Sequence, residues 1–244
     1  MSNQIYDAYW QSGMHLTKEW APDFFEESLG VLKGKKCVLD YGCGFGYSYQ
    51  RSLSQSIQKY IGADVSEKAV QNARNKGLEA VMISDSGQIE MPDAVCDGAV
   101  CSEVFEHLWD PLAAAKELHR VLVPGGVLVA TVPNFGYLPW RLLALLRAQV
   151  PLEPETIHNR YKGVHIRFFS QLILKRLLAD AGFKSVEVHG WCGGSVWHIF
   201  RCAGPFGKIS DWADRHLPSL LRFQFLARVW PNVCAERLRI IAIK

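Results

Sequence analysis

Short apolar runs bounded by turn residues alternate along this chain with longer stretches whose apolar positions recur at helical spacing. The run over residues 36–39 ends in Asp40, and glycines then occupy alternate positions, Gly42, Gly44 and Gly46. A polar, helix-compatible stretch follows from Tyr47 to Gln58, so the pattern predicts strand, glycine turn, helix. Tyr60–Asp64 reads as a second strand, with a helix after it through Asn75. Leu78–Ile83 and Ala94–Cys101 read as a third and a fourth strand. Leu112, Ala115, Leu118 and Leu122 share one helical face, which predicts an amphipathic helix over Pro111–Val121. Pro124-Gly125-Gly126 then turns the chain into a buried strand, Val127–Val132. Five strand–helix alternations by residue 133 predict a doubly wound α/β sheet with parallel strands.

After residue 133 the rhythm breaks. Tyr137–Ala148 is apolar nearly all round, interrupted by Arg141 and Arg147, and a loop follows at Pro151–Pro154. Ser170–Ala181 predicts a helix stopped by Gly182, and Lys184–Trp191 a sixth strand. Residues 192–235 interleave Trp197, Phe200, Phe206, Trp212, Phe223, Phe225 and Trp230 with basic residues, and Pro205, Pro218 and Pro231 cut them into short pieces. Arg237–Ile243 alternates into a final strand. At the other end, residues 5–32 read as helical and carry Tyr6, Tyr9, Trp10, Trp20, Phe24 and Phe25. The expected organisation is one domain over 1–244, with a helical cap over 1–35, a ligand-binding core over 36–133, and insertions at 134–169 and 192–235 that form a lid or acceptor pocket.

Composition narrows the class. With 49% hydrophobic and 21% charged residues the chain is globular. Its seven cysteines include no C-x-x-C pair, which argues against a disulfide framework or cysteine zinc site and for a reducing, cytoplasmic setting. The first twenty residues are mixed and polar, unlike a leader, and no apolar run reaches the roughly 18 residues of a membrane span. Charge is uneven. Residues 1–133 hold 11 Lys+Arg and 17 Asp+Glu (11 − 17 = −6), whereas residues 134–244 hold 16 and 7 (16 − 7 = +9). The basic half either faces an anionic substrate or lipid surface or is an ordinary solvated surface.

The glycine turn carries the first chemical signal. Glycine admits backbone angles and close approaches that a β-carbon blocks, so a ligand can lie against the main chain. The dinucleotide spacing G-x-G-x-x-G fails, because Tyr47 stands at its third glycine. The tighter G-x-G-x-G preceded by an aspartate resembles motif I of the class I S-adenosylmethionine (SAM) methyltransferases, and Leu122-Val123-Pro124-Gly125-Gly126 resembles that family's turn after the following helix. The resemblance covers roughly residues 36–190 and again 236–244. It implies a Rossmann-like, mostly parallel seven-stranded sheet whose last strand is antiparallel. It also implies SAM as cofactor, with contacts from Asp40, Gly42, Cys43, Gly44, Gly46, Asp64, Val65, Asp85, Ser86, Ser102 and Glu103. Asp64 lies 64 − 46 = 18 residues beyond the last glycine, where an acid accepts hydrogen bonds from the ribose hydroxyls. Asp64 or Ser66 is equally suited to starting the next helix. Asp85 matches the acid that meets the adenine amino group, and it is also an ordinary turn residue.

The second signal is Glu103-Val104-Phe105-Glu106-His107, directly after the fourth strand. On one helical turn Glu103, Glu106 and His107 project to the same side. Two carboxylates and an imidazole suit Mg²⁺ or Mn²⁺ better than structural zinc. His165, 165 − 107 = 58 residues on, is the candidate fourth ligand. E-x-x-E-H followed by a distant histidine resembles two metal-dependent methyltransferase groups, one acting on catechol hydroxyls in ubiquinone biosynthesis and the other on the 2′-hydroxyl of small RNAs. Two other readings stay open: His107 or His165 as a general base, and His107 as the start of the next helix. The expected activity is O-methylation of a small or lipid-linked acceptor. Its rivals are metal-free N- or O-methylation and a SAM-binding protein without catalysis. No recognisable RNA-binding module accompanies the motifs, which disfavours nucleic acid as partner, and the aromatic, basic segments either contact a membrane surface peripherally or pack on each other as a dry lid or a dimer interface.

Overall fold

The structure, a computed structural model, describes residues 22–52, 56–147, 165–192 and 227–244. Its frame is a seven-stranded sheet in the order β3-β2-β1-β4-β5-β7-β6. The strands are β1 (Cys37–Tyr41), β2 (Lys59–Asp64), β3 (Glu79–Met82), β4 (Cys96–Ser102), β5 (Leu122–Pro133), β6 (Ser185–Trp191) and β7 (Arg237–Ile243). The first five pair in parallel. β7 runs antiparallel between β5 and β6. The helices are α1 (Pro22–Gly30), α2 (Tyr47–Ser52), α3 (Glu67–Asn75), α4 (Pro111–Val121), α5 (Leu138–Arg147), α6 (Gln171–Asp180) and α7 (Pro231–Cys234), with a 3₁₀ turn at Phe105–His107.

The period-two pattern of the strands sends successive side chains to opposite faces. Leu39, Ala99, Leu128 and Ile240 join Leu118, Leu174 and Leu178 of α4 and α6 in one core. Val38, Tyr60, Val100 and Val129 join Leu29 and Leu32 and α3's Val70 and Ala73 in the other. Helix ends follow their side chains. Ser66 Oγ accepts from Ala69 N at 3.1 Å, so Ser66, and not Asp64, caps α3. Asp110 Oδ1 accepts from Ala113 N at 2.9 Å and Pro111 opens α4. Gly182, at φ +104°, follows the last turn of α6.

Two boundaries differ from the pattern-based expectation. The Pro124-Gly125-Gly126 turn is absorbed into β5, whose register against β4 slips between Cys96↔Leu122 and Gly98↔Val127. The extra residues bulge, and the glycines pair instead with the chain end: Gly125 N donates to Lys244 O and Lys244 N to Gly126 O, both at 3.1 Å. α2 is described over Tyr47–Ser52, and residues 56–58 are not helical, short of the expected end at Gln58. Of the cap expected over 1–35, the structure describes only residues from Pro22, where Phe24 packs on Trp191 with ring centroids 5.4 Å apart. The helical prediction for residues 5–21 lies outside the described residues, as do 148–164 and 193–226, and with them most of the two insertions and the lid expected there. No helix among the described residues is long and apolar enough to cross a membrane.

Candidate active site

The carboxyl ends of β1, β2, β4 and β5 point to one edge of the sheet, where open α/β sheets bind ligands. β1 ends in the glycine turn. Gly42, Gly44 and Gly46 all have positive φ (+79°, +51° and +76°), which explains their alternation. A β-carbon on Gly42 would lie 2.4 Å from Val104 Cγ2, so the missing side chain also lets the turn close onto the segment after β4. The turn is tied to β2: Gly42 N and Cys43 N both donate to Ala63 O, at 2.7 and 3.0 Å. Asp64 accepts from Gly44 N through Oδ2 and from Ser66 N through Oδ1, each at 2.9 Å. Asp64 is buried and fixes the shape of the turn, with Val65 half-buried beside it. Cys43 is a packing residue, its thiol filling the space over Gly62.

Asp40 lies beneath the turn, 1% exposed, and its Oδ2 accepts from Tyr60 Oη at 3.0 Å. Burial pushes its carboxyl up to about 7; the Tyr60 hydrogen bond opposes that, the Asp64 charge adds to it, and a Ser48 hydrogen bond opposes it again. At the end of β3, Ser84 Oγ accepts from Gln88 N at 3.0 Å and lies 2.9 Å from Ser86 Oγ. Ser84 therefore shapes this turn, and Asp85 is left exposed at its tip. At the end of β4, Ser102 Oγ lies 2.8 Å from Thr131 Oγ1.

Beyond β4 three of the four predicted ligands converge. One ligand atom from each of Glu106, His107 and His165 lies within 4.8 Å of the others. Glu106 Oε1 is 3.9 Å from His107 Nε2 and 4.0 Å from His165 Nε2, and the imidazole centroids are 4.7 Å apart. The distant histidine is brought in by the backbone: Ile166 N and Arg167 N both donate to Glu106 O, at 2.9 and 3.1 Å. Phe169, buried 6.4 Å from the Phe105 ring, bridges to Asn134 at the end of β5. Glu106 is buried, and burial with the neighbouring His107 charge lowers His165 to about 4. His165 is thus neutral at physiological pH and presents a nitrogen lone pair. Around the cluster stand exposed aromatics. Trp109 has the Arg167 guanidinium 5.8 Å from its ring centroid, and Phe135 faces Phe168 at 4.7 Å.

Glu103 does not join them, which corrects the expectation that it shares a helical face with Glu106 and His107. The 3₁₀ turn begins only at Phe105, and Glu103 has a left-handed backbone with φ +55°. Its N–H donates to Thr131 O at 2.9 Å, and its carboxylate pairs with Arg237. Arg237 opens β7 and is 6% exposed; burial lowers its guanidinium to about 10, still protonated at neutral pH. Asn134, wholly buried, donates to Ala235 O at 2.7 Å and Pro231 O at 3.0 Å, fixing the approach to β7. Neither Arg237 nor Asn134 stood out in the sequence. The available signal for Arg237 was a charge at an inward position of an alternating strand, which demands a buried partner.

The fold matches known proteins. Residues 13–188 match the family model of a methyltransferase domain. A probable SAM-dependent methyltransferase of Mycobacterium tuberculosis is 30% identical over 200 residues, 80% of this chain and 62% of that protein. A ubiquinone biosynthesis O-methyltransferase of Idiomarina loihiensis is 30% identical over 175 residues, 68% of this chain and 69% of that one. Among solved structures, a SAM-dependent methyltransferase of Thermotoga maritima, described as a possible histamine N-methyltransferase, superposes with a TM-score of 0.64 at 18% identity. It covers 99% of this chain and 98% of its own, a likeness of fold. The chain belongs to the methyltransferase domain family. It spans 62% of the length of the mycobacterial relative.

Proposed function

We propose that this protein transfers the methyl group of SAM to a hydroxyl oxygen of a small or lipid-linked acceptor, and that Glu106, His107 and His165 hold a divalent metal ion at the transfer site. The observation that carries the reading is the convergence of one buried carboxylate and two imidazoles within 4.8 Å. One of those imidazoles is neutral at physiological pH, as a ligand must be. A metal held by these three residues would lower the pKa of an acceptor hydroxyl, making it a better nucleophile at neutral pH. Two groups of relatives support the oxygen acceptor, the ubiquinone biosynthesis O-methyltransferases of Idiomarina loihiensis and of Pseudomonas aeruginosa, the latter 35% identical over 118 residues.

The chain's own residues then have distinct tasks. The glycine turn at Gly42, Gly44 and Gly46 would take the methionine portion of SAM. Asp64, whose carboxylate accepts from Gly44 N and Ser66 N, is the residue that would accept from the ribose hydroxyls. Asp85 and Ser86 would meet the adenine, and Ser102 the methionine end. Glu106, His107 and His165 would hold the acceptor oxygen for methyl transfer, a positioning role. Trp109, Phe135 and Phe168 offer apolar faces to the acceptor body, consistent with a hydrophobic acceptor and with approach from a membrane surface. His107, its Nε2 3.9 Å from Glu106 Oε1, is the base in a metal-free second reading; His165, held at about 4, has little affinity for a proton.

The test is methyl transfer from labelled SAM to a catechol acceptor by protein stripped with EDTA. Transfer that fails on stripping and returns with Mn²⁺ or Mg²⁺ supports the reading. Full transfer by metal-free protein leaves the His107 base. Binding of SAM without transfer to any hydroxyl compound points to a non-catalytic binder.

A further inference from the structure

We propose that Arg237 determines which donors the Glu106–His107–His165 site offers, by holding the Glu103 carboxylate out of it; the inference rests on the metal reading of that site. The spacing Glu103-x-x-Glu106-His107 brings two carboxylates close in sequence, yet the structure gathers only one of them with the histidines. Three features keep Glu103 away. Its left-handed backbone, φ +55°, breaks the helical continuity that would stack it on Glu106. Its N–H is engaged by Thr131 O at 2.9 Å, so the backbone is anchored to β5. Its carboxylate pairs with Arg237, in register with Pro133 of β5 and Trp191 of β6.

The pair is hard to open. Arg237 is 6% exposed in the middle of three strands. Removing its anion would strip a buried guanidinium of a charge partner, which low-dielectric surroundings penalise heavily. A cation arriving at Glu106 therefore has to outbid Arg237 for Glu103. The arrangement favours a site of one carboxylate oxygen and two imidazole nitrogens. Imidazole donors suit Fe²⁺ or Zn²⁺ best and are accepted by Mn²⁺ more readily than by Mg²⁺, which prefers oxygen ligands, one or two carboxylates among them. Three protein donors also leave positions open for acceptor oxygens. With Glu103 released, the set would gain a second negative oxygen and shift toward Mg²⁺. Arg237 is thus a selectivity-determining residue that needs to touch neither metal nor acceptor.

Mn²⁺ binding to the whole chain, read as loss of the free-ion electron paramagnetic resonance signal, tests this without turnover. Glu103→Gln keeps a hydrogen-bond acceptor for Arg237 and should leave Mn²⁺ affinity within about threefold of wild type, whereas Glu106→Gln and His165→Ala should each weaken it by about tenfold or more. Arg237→Gln should raise Mg²⁺ affinity relative to Mn²⁺. Circular dichroism melts establish that each variant is folded. Because loss of Arg237 can unfold the protein, a crystal of wild type soaked in Mn²⁺ gives an independent answer. Its anomalous map should show Glu103 still on Arg237. A Glu103 oxygen within coordination distance, or a loss of affinity in Glu103→Gln matching that in Glu106→Gln, overturns the inference and leaves the metal reading standing. Wild type that removes no Mn²⁺ from solution overturns both.

Discussion

Asp40 makes the apo protein's stability depend on pH in a direction opposite to that of a salt-bridged carboxylate. The side chain is 1% exposed beneath the glycine turn, with the Tyr60 hydroxyl at 3.0 Å as its donor. Burial raises its pKa from 3.8 to about 7, so the folded chain keeps a proton that the unfolded chain loses. The sign follows from linkage: stability from this group is whole below about pH 4 and is lost as pH rises to about 7. Each pH unit in that window removes about 1.4 kcal/mol, so the rise from about pH 5 to about pH 7 removes about 3 kcal/mol. Asp40→Asn cannot titrate and still offers an amide oxygen to Tyr60. The stability of the variant relative to wild type should therefore improve by about 3 kcal/mol between pH 5 and pH 8, or about 6–12 °C in melting temperature for a chain of this size. Urea melts of both proteins at several pH values, without SAM, measure it. Groups common to both proteins largely cancel in the difference. A gap that stays constant from pH 5 to pH 8 would refute the reasoning and show that Asp40 ionises normally inside the fold.

Asp64→Ala should weaken SAM binding by about 1–3 kcal/mol in titration calorimetry, the scale of charged hydrogen bonds; unchanged affinity in a folded variant removes Asp64 from the cofactor site. Gly42→Ala sets a β-carbon 2.4 Å from Val104 Cγ2 at φ +79° and should lower both the melting temperature and SAM affinity. Adding Val104→Ala should recover only part of that loss, because the backbone strain of about 1–3 kcal/mol persists; full recovery would show that the clash alone matters. Glu106→Ala and His165→Ala should each abolish the metal response of methyl transfer while SAM still binds, and loss of SAM binding in either would mark a structural role. Co-sedimentation with anionic vesicles at low salt should retain the protein if its acceptor is approached from a membrane; protein left entirely in the supernatant removes membrane contact from the proposal.

What sequence alone could reveal depended on how local the controlling physics is. The strand–turn–helix around Gly42 was legible because apolar spacing and three alternating glycines act within ten residues. Pro111–Val121 was legible to the residue, since Asp110 and Pro111 mark its start in the chain itself. The turn at Gly125-Gly126 was misjudged because its geometry is settled by Lys244, at the far end of the chain. Asp64 was legible as important, but its engagement of Gly44 N and Ser66 N required the two strand ends to be adjacent in space.

The E-x-x-E-H stretch is where local reasoning reached its limit, and the reason is physical. Helical spacing puts residues three and four apart on one side only if every residue between them is helical. One left-handed residue at Glu103 cancels that inference, and a glutamate adopts such a backbone only where its surroundings over-determine it. Here the surroundings are Thr131 O on one side and a buried arginine, 237 − 103 = 134 residues away, on the other. By contrast Glu106, His107 and His165 were found together because the two segments that carry them meet through main-chain bonds, Ile166 N and Arg167 N to Glu106 O. The same motif therefore divides into a part whose geometry its own backbone sets and a part set by β7. The antiparallel insertion of β7 between β5 and β6 does more than complete the sheet: it brings Arg237 to the Glu103 carboxylate at the edge of the site.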